Sequence, residues 1–528
     1  MTHGRGICLI ALLVASTAVG VLAADRPQWG QAWTRNQASP ETGLPDAFEP
    51  PEIDKQTGQP VPGTGRNIRW TARLGSEAWS TPVVAGGRVY IGTNNEFPRD
   101  PRHEGDRGVL LCLDEKDGRL LWQLVVPKLV PPTGRDPYLD WPKAGICSPP
   151  VVEGDRVYIV TNRVQIVCLD VHGLANGNDG PFQDEARHQT PAGQDPVPAG
   201  PTDADIIWTF DVLSGAGTYP HDSAHAAVML DGDFLYSNTC NGVDNTHKQI
   251  RKPDAPSLIA LEKATGRLVG KDAERIGPRI FHSTWSSPAM GEAGGRRLVI
   301  FGGGDGVVYA FEPLKNMPPQ GAVESFKRIW KFDCDPAGPK ENVSEYLRNR
   351  KESPSNIKGM PVIEGGRVYV AAGGDIWWGK NEASLKCIDA SGSGDITSSA
   401  LVWSYPVNPH CCSTPAVAGA LVFITDCGRM VHCLDARTGQ PHWTQETQGE
   451  MWSSPLVADG KVYVATRRGE FWIFAADKEK RVLHKTSLSP IAGTPVAANG
   501  RLYVNTMTHL YCIGTETGAA KPKARASE

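Results

Sequence analysis

Apolar and polar positions alternate along the chain in short bursts that come in pairs, each pair hinged on glycine. The clearest are STPVVAGGRVYIGT (80–93), CSPPVVEGDRVYIVT (147–161), SSPAMGEAGGRRLVIFG (286–302), GMPVIEGGRVYVAA (359–372), STPAVAGALVFIT (413–425), SSPLVADGKVYVAT (453–466) and GTPVAANGRLYVNT (493–506). A degenerate copy, HAAVMLDGDFLYSNT, lies at 225–239. Period-two alternation on both sides of a Gly-centred turn predicts a β-hairpin. Most copies run on into a third alternating stretch, an acidic turn and a tryptophan, as in LLCLDEKDGRLLW (110–122) and VHCLDARTGQPHW (431–443), and with insertions at Trp208, Trp330 and Trp403. Four strands per unit, with Pro415, Pro455 and Pro495 each 40 residues apart, predict the blades of a β-propeller.

The count of units closes. HLYCIGTETG (509–518) ends the last copy without a fourth strand, while NIRWTARLG (67–75) is a tryptophan strand with no blade before it. Together they complete one blade, so the chain is expected to be all-β, a single eight-bladed propeller over 67–518 with the N-terminal strand joining the C-terminal blade. That closure removes exposed sheet edges. A segment 25–66 should precede the ring in extended form, and 519–528 is expected to be a disordered tail.

The units STPVVAGGRVYIGT…LLCLDEKDGRLLW and VHCLDARTGQPHW resemble the repeats of the pyrroloquinoline quinone (PQQ) type propellers. That superfamily holds quinoprotein alcohol dehydrogenases, the propeller lipoprotein of the outer-membrane β-barrel assembly machinery, and many exported bacterial proteins. The resemblance spans roughly residues 67 to 518. It implies the fold strongly and the function weakly, because repeat residues maintain blades whether or not a quinone is bound.

Composition changes the picture at the ends and in the choice of partner. One basic residue, Arg5, precedes an apolar run from Ile7 to Leu22 that ends in small residues. This predicts a signal peptide, 1–24, cut near Ala23 or Ala24, and hence an exported protein, periplasmic or at the cell surface. Later segments show no membrane span. With 54 Lys plus Arg against 58 Asp plus Glu and no long basic tract, nucleic acid is not an expected partner. A monomer is expected.

Of twelve cysteines, Cys112, Cys168, Cys387, Cys433 and Cys512 share one position of the third strand. Equivalent positions in different blades lie beyond the about 7 Å limit for bridging, so these five are expected to be buried hydrophobes. Cys147, Cys240, Cys411, Cys412 and Cys427 instead fall in loops on one face. The same face should carry the insertions 94–108, 126–145, 212–223, 240–256, 333–358 and 373–384, whereas 171–205 should emerge on the opposite side. Long loops over one end of a rigid scaffold are where binding sites form.

Below those loops the axial channel should be ringed by Trp79, Ile146, Ala224, Trp285, Lys358, Cys412, Trp452 and Ala492, with Trp377 and Trp378 reaching over from GDIWWGKNE. Three readings follow. In the leading one the protein is a binding or scaffold module that takes a protein, a glycan or a small ligand on this face. In the second, implied by the resemblance, it is a PQQ-dependent dehydrogenase acting on alcohols or sugars. A bridge between Cys411 and Cys412 would then cover the quinone, Trp285 or Trp452 would form its floor, and Asp222 or Glu450 would supply the acidic group beside a calcium ion. Against that, the family's cysteine pair lies in an early blade while this one opens blade 6, no clear calcium ligand set is visible, and no Cys-x-x-Cys-His haem motif occurs. In the third, His221, His225, His282 and His410, with the cysteine pair, hold zinc or copper.

Overall fold

The computed structural model describes residues 24–30, 32–129, 139–222 and 224–515. Eight sheets follow one another round a ring. The first is formed by strands Val83–Ala85, Arg88–Asn94, Arg107–Asp114 and Leu120–Pro127, the sixth by Ala416–Ala418, Leu421–Thr425, Met430–Asp435 and Pro441–Glu446. In the eighth, Val496–Ala498, Arg501–Asn505 and His509–Ile513 take Ile68–Arg73 as their outermost strand. The N-terminal strand thus closes the ring, as the fragment count predicts. The expected signal peptide, apart from Ala24, and the expected tail lie outside the described residues. Among the described residues no helix is long and apolar enough to cross a membrane.

The repeat residues explain how blades form and dock. In five blades the third-strand cysteine pairs with an aromatic on the second strand and a tryptophan on the fourth: Tyr90–Cys112–Trp122, Tyr158–Cys168–Trp208, Tyr369–Cys387–Trp403, Phe423–Cys433–Trp443 and Tyr503–Cys512–Trp70. All five cysteines are buried and unbridged, as expected. The tryptophan of these five blades, and Trp330 of blade 4, faces the next blade, and its indole N–H donates to a turn carbonyl there: Trp70 to Glu115, Trp122 to Val171, Trp208 to Lys263, Trp330 to Ala390, Trp403 to Ala436 and Trp443 to Asp477. The turn glycine is required by this docking. Gly266 has φ +74°, and a Cβ there would lie 2.5 Å from the Trp208 ring.

The segment before the ring does more than lead into it. Residues from Ala24 to Glu41 make one circuit of the axis and bond the inner strand of every blade in turn. Ala24 O accepts from Asn499 N of blade 8, Arg26 pairs with Val84 of blade 1, and Pro27 O accepts from Val152 N of blade 2. Trp33 O, Thr34 O and Gln37 O accept from Met290 N, Ile363 N and Val457 N of blades 4, 5 and 7. The Asn36 amide bonds Val417 of blade 6 in both directions, and a Glu41 oxygen accepts Gly500 N at 2.7 Å on return to blade 8. Arg35, fully buried, donates to Val228 O of blade 3 (2.9 Å), Pro288 O of blade 4 (2.8 Å) and Trp29 O (3.1 Å). The free inner edges of the sheets are thereby occupied.

The insertion 171–205 leaves the strand pair of blade 2 and returns along the outer edge of blade 1, where Gln123 pairs with Asp203. It carries His188, whose two ring nitrogens are buried without a hydrogen bond against Phe182. Burial, and then Arg163, push this imidazole down to about 4. Above the unfolded value of about 6.5 the ring is neutral in both states. As pH falls from 6.5 toward 4, the unfolded chain takes up a proton that the folded one refuses, and stability is lost by up to about 3 kcal/mol. Urea unfolding at stepped pH values between 7 and 4.5 should show a shallower decline for His188→Gln than for the wild type; parallel declines would remove His188 as the cause.

Candidate functional site

The axial channel opens under the elaborated loops into a pocket of about 500 Å³. Seven tryptophans line it. Trp79, Trp285 and Trp452 come from the positions just before first strands, as the repeat register predicts. Trp377 and Trp378 reach in from the blade 5 loop, Trp141 from the blade 1 to blade 2 connection, and Trp29 from the N-terminal circuit. Trp79 and Trp452 lie with ring centroids 5.6 Å apart and tilted by 35°, while Trp377 meets Trp285 and Trp452 edge-on, both at 5.8 Å. The buried indole N–H groups of Trp285 and Trp452 make no hydrogen bond within the protein.

Two cations sit against these rings. The Arg467 guanidinium lies 4.1 Å from the Trp452 centroid and 5.2 Å from that of Trp79, held by Glu450 at 2.9 Å. The Lys358 ammonium lies 4.4 Å from the Trp285 centroid and 2.7 Å from Asp375 Oδ2. Asp375 is fully buried. Burial works against its charge, but Lys358 and His282 more than offset that and hold the carboxyl well below the usual range. Its other oxygen accepts the backbone N–H groups of Trp377 and Trp378, both at 3.0 Å, and so fixes the loop that carries them.

On one wall three loops are stitched by single bridges, Pro220 to Asn241 and Gly242 to Ser283. This mounting brings His221, His247 and His282 together, with ligating atoms all within 4.8 Å of one another. Asp222 stands beside them, Oδ1 3.5 Å from His221 Nε2 and Oδ2 3.3 Å from His282 Nε2. Gly242 permits the approach, since a Cβ there would meet the His221 Cβ and the His282 carbonyl oxygen at 2.8 Å. Burial, followed by the neighbouring His282 and His247, keeps His221 well below the usual imidazole range.

The remaining expected residues divide. His225 lines the pocket against Trp285 but donates its Nε2–H to Asp222 O at 2.7 Å, and burial pushes it down to about 4. His410 is buried away from the cluster and donates Nδ1–H to Gly374 O at 2.9 Å. Glu450 stays behind Arg467. Ile146 and Ala224 belong to inter-blade cores rather than the channel ring, and the lining in those blades is supplied one residue on, by Cys147 and His225. The cysteine pair separates: Cys412 lines the pocket, whereas Cys411 turns into the core between blades 5 and 6, its Sγ 3.3 Å from Thr425 O. Both are free thiols. Cys412, more than burial, raises the thiol of Cys427 well above its usual range, which places Cys427 beside Cys412. Trp29, Trp141, His247 and Arg467 were not among the expected residues. His247 lies in an insertion the pattern marks, but Trp29 carries no repeat signal.

Comparison with known proteins supports the same class. The family model for outer membrane protein assembly factor BamB matches residues 62–134 and 381–484. Among solved structures, BamB from Moraxella catarrhalis superposes with a TM-score of 0.51 at 12% identity, over 84% of this chain and 98% of that one. A europium-containing methanol dehydrogenase gives 0.58 at 11% identity, over 93% and 98%. Quinohemoprotein alcohol dehydrogenase from Comamonas testosteroni gives 0.55 at 12%, over 96% and 83%. No curated protein matches. The chain is a PQQ-like eight-bladed propeller that resembles BamB and the quinoprotein alcohol dehydrogenases, and at these identities the likeness speaks for the fold alone.

Proposed function

We propose that the protein is an exported binding module whose axial pocket takes a planar small molecule rich in hydrogen-bond acceptors. The observation that carries this is the lining itself: facing indoles, two cations seated on them, and two buried indole N–H donors left unpaired. Buried donors ordinarily find acceptors, flat rings stack on indoles, and a pocket of this volume matches a ligand of cofactor size.

PQQ is one such compound. Its planar ring would stack on an indole and its carboxylates would pair with Arg467, whereas the cysteine cover that the resemblance implies is not formed, because Cys411 points away from the pocket. Titration of the full chain with planar carboxylated ring compounds, PQQ among them, is expected to quench tryptophan fluorescence, and Trp452→Ala should weaken the binding about tenfold or more. Absence of quenching across the panel, or equal affinity in Trp452→Ala, would overturn the reading. Dye reduction with an alcohol or sugar in the presence of PQQ and calcium would replace it with that of a quinoprotein dehydrogenase.

A further inference from the structure

The structure assigns a transition-metal site to His221, His247, His282 and Asp222 on the wall of the axial pocket. This assignment stands independently of what the pocket binds.

Two observations carry it. The first is spacing. Imidazole nitrogens bound to a tetrahedral zinc ion at about 2.0–2.1 Å lie about 3.3 Å from one another. Here the Nε2 atoms of His221 and His282 are 2.9 Å apart, the Asp222 oxygens are 3.5 and 3.3 Å from them, and a nitrogen of His247 completes the group within 4.8 Å. Small shifts of side chains bring all four donors around one ion.

The second is orientation from behind. His282 Nδ1 lies 2.9 Å from Asp375 Oδ2. The same oxygen accepts from the Lys358 ammonium at 2.7 Å, so it acts as an acceptor and Nδ1 as the donor. In that tautomer Nε2 is an acceptor facing the cluster, where it takes a hydrogen bond from His221 Nε2–H at 2.9 Å, and a bound ion would replace that proton. A carboxylate behind a ligating histidine is the usual way in which proteins fix ring orientation and raise ligand basicity. Asp375 is itself held by two backbone N–H groups, so the support is rigid.

The donor set, three imidazoles and one carboxylate, suits zinc and neighbouring divalent transition ions better than calcium or magnesium, which prefer all-oxygen shells. Asp222, His247 and His282 also line the pocket, so an ion here would sit in the cavity wall.

The test uses the full mature chain, stripped with a chelator and then titrated with Zn2+ or Co2+ alone. One equivalent should bind, and Co2+ should give the visible absorption bands of a tetrahedral or five-coordinate nitrogen-bound ion. His247→Gln is expected to abolish the bands. Asp375→Asn should weaken binding roughly ten- to a hundredfold while leaving the bands in place. Because His282 is deeply buried and its variants risk misfolding, His247→Gln and Asp222→Asn, checked for native circular dichroism, carry the decision. No stoichiometric binding by the wild type, or wild-type affinity in folded His247→Gln and Asp222→Asn, overturns the assignment.

Discussion

Replacing Asp375 by alanine should destabilise the protein by about 3–5 kcal/mol, the range for breaking a buried ion pair from one side. The side chains of Asp375 and Lys358 are 0% and 3% exposed. Without the carboxylate, the Lys358 ammonium keeps its cation–π contact with Trp285 but has no anion in reach of its 2.7 Å bond. The amides of Trp377 and Trp378 lose their acceptor as well. The double variant Lys358→Met, Asp375→Leu removes both charges together and should be the more stable of the two in urea unfolding, since an apolar pair can replace an ion pair at little cost. A double variant no more stable than Asp375→Ala would show that the orphaned charge is not the cause.

The second large effect is expected at Arg35. Arg35→Met should cost about 4 kcal/mol, because it strands three buried carbonyls, each worth about 1–3 kcal/mol when left unpaired. Burial alone lowers this guanidinium to about 9, so the charge is expensive to keep and its hydrogen bonds are what retain it. Lysine is not a conservative replacement, since one ammonium cannot reproduce the forked reach to Val228, Pro288 and Trp29. Arg35→Lys should fall between the two in the urea midpoint. Limited proteolysis should also cut within residues 24–44 of Arg35→Met while sparing the wild type. Equal protease resistance in both would mean that the circuit is held without Arg35.

Much of this architecture was legible in residue patterns, for reasons that differ by feature. The blades show because side chains of alternate residues must face alternate sides, and the aromatic–Cys–Trp ladder shows because five blades repeat the same three partners in register. Trp79, Trp285 and Trp452 follow from register. The N-terminal circuit left no such trace: most of its bonds run from backbone to backbone, which any sequence can make. The cluster was half visible, as His221 and His282, because its third histidine enters from a loop whose path no repeat dictates. Cys411 and Cys412 illustrate an argument available from the start. Neighbouring residues of extended chain point opposite ways, so at the mouth of a strand one of the pair faces the axis and the other the core.

The circuit made by residues 24–41 also bears on how the molecule comes to be built. Its partners lie as far along the chain as Pro288, Val417 and Gly500, and the last arrive only when blade 8 is complete. This stretch is synthesised before any blade and therefore waits for the final strands before it is bonded all the way round. Contacts of such sequence separation make folding slow, and until the ring shuts, the inner strand edges stand open to pairing with other chains. The time to closure therefore sets how long those edges need protection from aggregation.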